Sequence, residues 1–436
     1  GDARRGGDPL KDPRLNLRLG DARGSMILTD AKYDAIVSQP SHPWTSGASH
    51  LYTHEFFEMA QSRLAPGGVF VQWMGLSFVD DDLLRGLIGT LGDVFEYVSV
   101  FRPKGGGAIF FAASDEPFSL RETVEEAARR IPSDMATIGV YRPEDVLAGM
   151  VLDPEAAAQF SVGAEPISDD WNRLAWIKQN ESSGLGATTS ITEALSEFDP
   201  LREPDPEVDP DLLANRLLSP RTIHRVDALT ESLSGADRER ILGWRDLNQG
   251  RKRSAQQHFR RALEEDPDSV RAQVGLELVL PNSIEVESLP PQEALFVRAN
   301  RLAQAGDWET LSTLDSQLAL WPSGALFYPE TQRLRILWRM ADRTPVRSEE
   351  ALAILDPLIM MGGPLQDLMN RAEIAASAGR VDYAWATLDR VLQRIRVAKQ
   401  PRLILRRAVA LSRILPEREG SERVRATLNR LSNQVR

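Results

Sequence analysis

The sequence predicts an α/β domain followed by an all-α region. Two observations carry this. Over the first ~115 residues, short β-rich runs alternate with segments whose apolar residues recur at helical spacing, a pattern that points to a mostly parallel sheet. From Leu213 onward no run reads as a strand, and small residues recur in helix pairs.

The predicted strands are "LNLRL" (Leu15–Leu19), "DAIVS" (Asp34–Ser38), "GVFVQWM" (Gly68–Met74), "FEYVSVF" (Phe95–Phe101) and "AIFFAA" (Ala108–Ala113). Between them, "THEFFEMAQSRL" and "DDDLLRGLIGTLG" read as helices, with Thr53 as N-cap and Glu55 in the first turn. The last two strands are joined by "RPKGGG", too short for a crossover helix, so they should form an antiparallel hairpin. A mixed stretch follows, with a helix at "LRETVEEAARRI" and a loop at "EPISDDWNRLAWI". The Pro-rich "SEFDPLREPDPEVDPD" then marks a boundary. Three segments result: 1–115, 116–208 and 209–436.

In the last segment, "ILGWRDLNQGRKRSAQQHFRRALEEDPDSV" resembles a tetratricopeptide repeat. Leu242 and Gly243 fall in its first helix and Gly250 at the turn. Ala255, Phe259 and Ala262 line the second helix, and Pro267 ends it. Looser copies place Gly306 and Gly379 at turns, and two further helix pairs bring the total to about five, enough for a solenoid. Such a solenoid offers a groove to protein partners.

Composition narrows the function classes. A net charge of −11, with basic and acidic residues interspersed, argues against nucleic acid as the partner. The absence of cysteine excludes disulfides, thiolate metal sites and thiol catalysis. No apolar run approaches the ~18–20 residues of a membrane span, and with a mean hydropathy of −0.30 the chain reads as soluble. Membrane association is expected only through sequence upstream of Gly1.

The combination "DPRLNLRLGDAR…YDAIVSQPSHPW…LYTHEFFEMAQSRLAPGGVFVQW" resembles the spermidine synthase family, over roughly Asp12 to Ser114. Within it, the match is to bacterial proteins that fuse such a domain to membrane segments or repeats. The resemblance implies a class I S-adenosylmethionine-type Rossmann domain with sheet order 3-2-1-4-5-7-6, in which "LNLRL" would be strand three. It places Asp21 and Ala22 of "GDA" at the adenine of S-adenosylmethionine or its decarboxylated form. The first two strands and the Gly-rich loop would lie upstream of this chain or be supplied by another chain. Aligned on "YD", active aminopropyltransferases resemble Tyr-Asp-x-x-x-x-Asp-x-x-Asp-Pro. Gln39 and His42 therefore stand where the catalytic carboxylates would be. A carboxylate there can hold an ammonium group and accept its proton, whereas glutamine cannot take a proton.

Three functions follow from these residues. One is a catalytically degenerate scaffold that binds partners through its repeats. Another is an active aminopropyl- or methyltransferase completed by upstream sequence. The third is a structural subunit of a membrane-associated assembly.

Each singled-out residue also has a plainer reading. Asp21 after a strand serves equally as a surface turn, and Gln39 and His42 as loop residues at a strand end. His42, His50 and His54 suggest a metal site, but His50 precedes the capped helix and the i, i+4 geometry fails, so no metal is expected. Gly105–Gly107 reads as a hairpin tip and Asp80–Asp82 as a helix start. Asp169 and Asp170 resemble an element that closes over the family's pocket, or form a turn. Trp244, Trp308, Trp338 and Trp385 read as core.

Overall fold

The computed structural model describes residues 9–40, 45, 47–76, 79–103, 107–176, 185–219, 221–342, 344–360, 363–395 and 402–434. The chain forms two compact units, Gly1–Ser234 and Gly235–Arg436.

The first unit is built on a five-stranded sheet of β1 (Tyr33–Ser38), β2 (Leu64–Gly75), β3 (Tyr97–Phe101), β4 (Ala108–Ser114) and β5 (Met150–Leu152), in the order β1-β2-β4-β3-β5. Its helices are α1 (Ala22–Ile27), α2 (His54–Arg63), α3 (Asp81–Gly92), α4 (Leu120–Arg130), α5 (Pro132–Thr137) and α6 (Pro143–Leu147). They continue with α7 (Pro154–Phe160), α8 (Leu185–Ser196), α9 (Pro210–Leu217) and α10 (Arg225–Glu231). The order β1-β2-β4-β3 is the 4-5-7-6 half of the order implied by the family resemblance.

Two expectations are corrected. The sheet is mixed rather than mostly parallel, since only β1–β2 pairs in parallel among the described strands. The cause is the tight β3–β4 connection, which returns β4 antiparallel between β2 and β3. Leu15–Leu19 is no strand: among the described residues no neighbouring strand offers it a ladder, and Leu17 and Leu19 are exposed. β5, three residues long, carries too little pattern to be read from sequence.

One face of the sheet is well covered. Phe70, Gln72 and Met74 of β2 are fully buried there, along with Ile109 and Phe111 of β4. Against them pack Phe56 and Phe57 of α2 and the Leu83, Leu84, Leu87 and Ile88 stripe of α3. Phe70 and Phe95 stack with centroids 5.7 Å apart, and Phe57 leans on Phe70 at 5.6 Å. Asp80 caps α3 by accepting from the Leu83 N–H at 2.9 Å, which accounts for the acidic helix start.

The second unit is helical among its described residues: α11 (Gly235–Asn248), α12 (Lys252–Glu265), α13 (Val270–Val279), α14 (Pro291–Ala305), α15 (Trp308–Thr313) and α16 (Asp315–Ala319). Then come α17 (Tyr328–Asp342), α18 (Pro345–Met360), α19 (Leu365–Ser377), α20 (Val381–Ile395), α21 (Arg402–Ile414) and α22 (Ser421–Gln434). Gly250, Gly306 and Gly379 sit at the turns foreseen for them, each with φ near +74°. Phe259, fully buried, is wedged between Gly243 of α11 and Gly275 of α13, where any side chain would collide with its ring. Trp385 is buried, whereas Trp244, Trp308 and Trp338 are half-buried at the core margin.

Candidate functional site

Asp21 caps α1. Its carboxylate accepts from the backbone N–H groups of Arg23 at 3.2 Å and Gly24 at 3.1 Å, and Ala22 is the first helical residue. Both residues are exposed, as is the flanking Leu19. Gln39 is exposed and follows the last residue of β1, at the carboxyl end of a strand in an α/β sheet. His42, Gly105 and Gly106 lie outside the described residues.

At the start of α2 the structure brings together residues that sequence spacing did not. The loop after α7 crosses α3 and reaches the start of α2. It approaches α3 at Gly86, where a Cβ would stand 2.9 Å from the Glu165 carbonyl. Thr90 Oγ1 accepts from the Ile167 N–H at 2.9 Å, and the Ile167 carbonyl accepts from the His54 N–H at 2.8 Å. Glu55 then accepts from the Asp169 N–H at 2.9 Å, which fixes the loop over the helix terminus.

So held, Asp169 becomes a hub. Arg23 donates to it through both terminal nitrogens, at 2.8 Å for Nη1 to Oδ1. Thr53 Oγ1 donates at 2.8 Å, and His50 Nδ1 lies 3.3 Å away. The Arg23 guanidinium, with help from Thr53 and His50, holds the Asp169 carboxyl down at about 2 against the opposing effect of burial. Asp169 in turn raises Arg23. Thr53 occupies the N-cap position of α2 with its hydroxyl turned to Asp169 and the His50 carbonyl, so the expected cap bond is not made. Arg63 ties the two helices together by donating to the Met26 carbonyl at 3.0 Å.

Beside the end of β1, Gln72 of β2 lies in register with Ser38 and is fully buried. Its amide donates to the Trp73 carbonyl, and its Oε1 has no hydrogen-bond partner among the described residues. Tyr52 also donates to the Trp73 carbonyl, at 3.1 Å, and burial pushes its hydroxyl pKa up, opposed by Gln72. Gln72 escaped sequence reading because a glutamine inside a strand carries no motif of its own. His50 sits in the turn Ala48–Leu51 before α2, paired with Asp169, while His54 faces Glu58 at 3.7 Å.

An adenosyl group needs a carboxylate and an enclosing apolar wall. Asp21 is a carboxylate already engaged by its own helix turn, and residues 19–22 are open to solvent. The described residues therefore do not by themselves fit that group.

Known proteins carry this likeness further. Residues 3–115 match the spermine/spermidine synthase domain, so this part of the chain is a spermidine synthase-like domain. The polyamine aminopropyltransferase of Nitrosomonas europaea is 30% identical over 172 residues, which span 38% of this chain and 52% of that protein. Polyamine aminopropyltransferase 2 of Pseudomonas aeruginosa is 37% identical over 93 residues, 21% of this chain and 27% of that protein. The crystal structure of a probable spermidine synthase from Corynebacterium glutamicum is 27% identical, covering 36% of this chain and 56% of that one. Its TM-score of 0.26 is too low to bear on the fold. The first relative is thus matched over about half its length.

Proposed function

We propose that the first unit is a spermidine synthase-like domain that no longer activates an amine, and that the second unit is a tetratricopeptide-like solenoid that binds protein partners. Gln39 carries the first half of this reading. It stands at the strand end where the family resemblance calls for a carboxylate, and an uncharged amide can neither hold an ammonium strongly nor accept its proton. The Gly243–Phe259–Gly275 packing and the turn glycines support the second half, because close-packed helix pairs are what a stacked repeat requires.

A second reading keeps the chemistry: an aminopropyltransferase-like transferase acting on decarboxylated S-adenosylmethionine. The names of the relatives favour it. One assay separates the two. Product formation from putrescine and decarboxylated S-adenosylmethionine is measured with this chain and with any longer natural form of it. The scaffold reading expects no turnover above background in either, together with retention of a protein partner by residues 235–436. Turnover in the longer form that depends on Gln39 would overturn it.

A further inference from the structure

At the opposite edge of the first unit's sheet from β1, the described residues frame a cleft of about 490 Å3, open mouth included. It lies where β3 ends, beside β5, the end of α8 and the start of α10. Its charge is unbalanced. Arg225 and Asp199 neutralise one another through Nε at 2.6 Å and Nη2 at 2.8 Å, both almost fully buried. Asp199 also accepts from the Leu201 N–H at 3.0 Å, and Arg225 donates to the carbonyls of Ala148 and Met150. That pair is structural.

Arg102 and Arg221 line the same cleft, and neither has a carboxylate partner among the described residues. The Arg102 side chain donates to Thr192 Oγ1 at 2.8 Å. Burial lowers its pKa first, then the neighbouring charges of Arg221 and Arg225. His224, on the same wall, is lowered by burial first and then by Arg225, with Asp199 pulling the other way. The end of α8 does not explain the excess, since Arg202 already donates to the Ser196 carbonyl there. Like charges gathered in a partly desolvated cleft repel unless an anion lies between them.

We propose that this cleft binds a small soluble phosphate monoester dianion, with Arg102 and Arg221 on the phosphoryl oxygens. Two charges without a counter-ion match a dianion, and guanidinium forks suit phosphoryl geometry. Val151, Leu195 and Pro103 supply an apolar wall for the ester's carbon part.

Calorimetry of the whole chain tests this with inorganic phosphate and glycerol 3-phosphate, at matched ionic strength in a phosphate-free buffer. The expected result is saturable one-to-one binding that weakens roughly ten-fold or more in Arg221→Ala, as loss of a charge-assisted contact implies. Arg221 is exposed and should be removable without unfolding the unit. Arg102→Gln is a second arm, checked by its thermal transition, and Arg221→Ala alone decides if it misfolds. Absence of saturable binding, or equal affinity in Arg221→Ala, would overturn the proposal. So would tighter binding of succinate than of phosphate, or binding to phosphatidic acid vesicles without binding to glycerol 3-phosphate.

Discussion

Arg23 and Asp169 lie 146 positions apart in the chain and meet through a two-pronged ion pair at the start of α2. Arg23 comes from the first turn of α1, Asp169 from a loop pinned to α3 and α2. The pair therefore fastens α1 to the rest of the first unit. It leaves Asp21, two residues away, in a defined place.

Asp169→Asn should lower stability at neutral pH. The shift from 3.8 to about 2 sets an upper bound of about 2.5 kcal/mol. Screening at a carboxylate 31% exposed reduces this to about 1 kcal/mol. Since the folded pKa is depressed, the contribution is present above about pH 4 and fades as pH falls towards 2. Thermal melts of both proteins at pH 7, 4 and 2 check this. A gap that persists unchanged at pH 2 would show that the carboxylate charge is not what stabilises the pair.

Gly243→Ala should destabilise the second unit although alanine is the better helix former by about 1 kcal/mol. A Cβ at Gly243 would stand 2.6 Å from the Phe259 ring, and the ring has no room to retreat because Gly275 backs it. Overpacking of this kind costs about 1–3 kcal/mol. Urea unfolding of Gly243→Ala alone and combined with Phe259→Leu measures it. The double variant should recover part of the loss, and a single variant as stable as wild type would contradict the close approach.

Much of this arrangement was legible in the sequence, and the exceptions share a cause. β1 to β4 and the turns at Gly250, Gly306 and Gly379 rest on local pattern, which the structure keeps. Leu15, Leu17 and Leu19 have the alternation of a strand, but alternation states a face and not a neighbour, and no ladder forms. The Arg23–Asp169 pair, the buried Gln72 and the arginine cleft depend on contacts between distant segments. Thr53 is the instructive case: the residue stands at the N-cap position, yet a carboxylate from 116 positions away takes its hydroxyl.

Where the first unit ends can be tested by truncation. The sequence places a boundary at 208/209, while α9 and α10 pack within the first unit. Arg216 pairs with Asp145 and Arg225 with Asp199, each partner under a tenth exposed. Ending the chain at residue 208 removes both arginines and leaves two carboxylates uncompensated, at about 3–5 kcal/mol for each fully buried pair broken. Residues 1–234 should therefore melt at a clearly higher temperature than residues 1–208 by circular dichroism. Equal transitions would mean that these pairs contribute nothing to the unit.

The strand-end position itself is tested by giving it back a charge. On the scaffold reading, Gln39→Ala changes neither residual aminopropyl transfer nor partner retention, because the amide does no chemistry and the second unit is a separate compact body. Gln39→Asp restores an acceptor for an ammonium proton and should raise transfer from putrescine in any form of the protein that binds decarboxylated S-adenosylmethionine, by the roughly hundred-fold or more that general-base catalysis supplies. Gln39 is exposed at the end of β1, so neither substitution should shift the melting temperature beyond that of an ordinary surface change. The rates and melting temperatures of the three proteins are compared under one condition. If wild type transfers readily and Gln39→Ala stops it with no change in melting temperature, glutamine is working as it stands, and the degenerate-site reading fails.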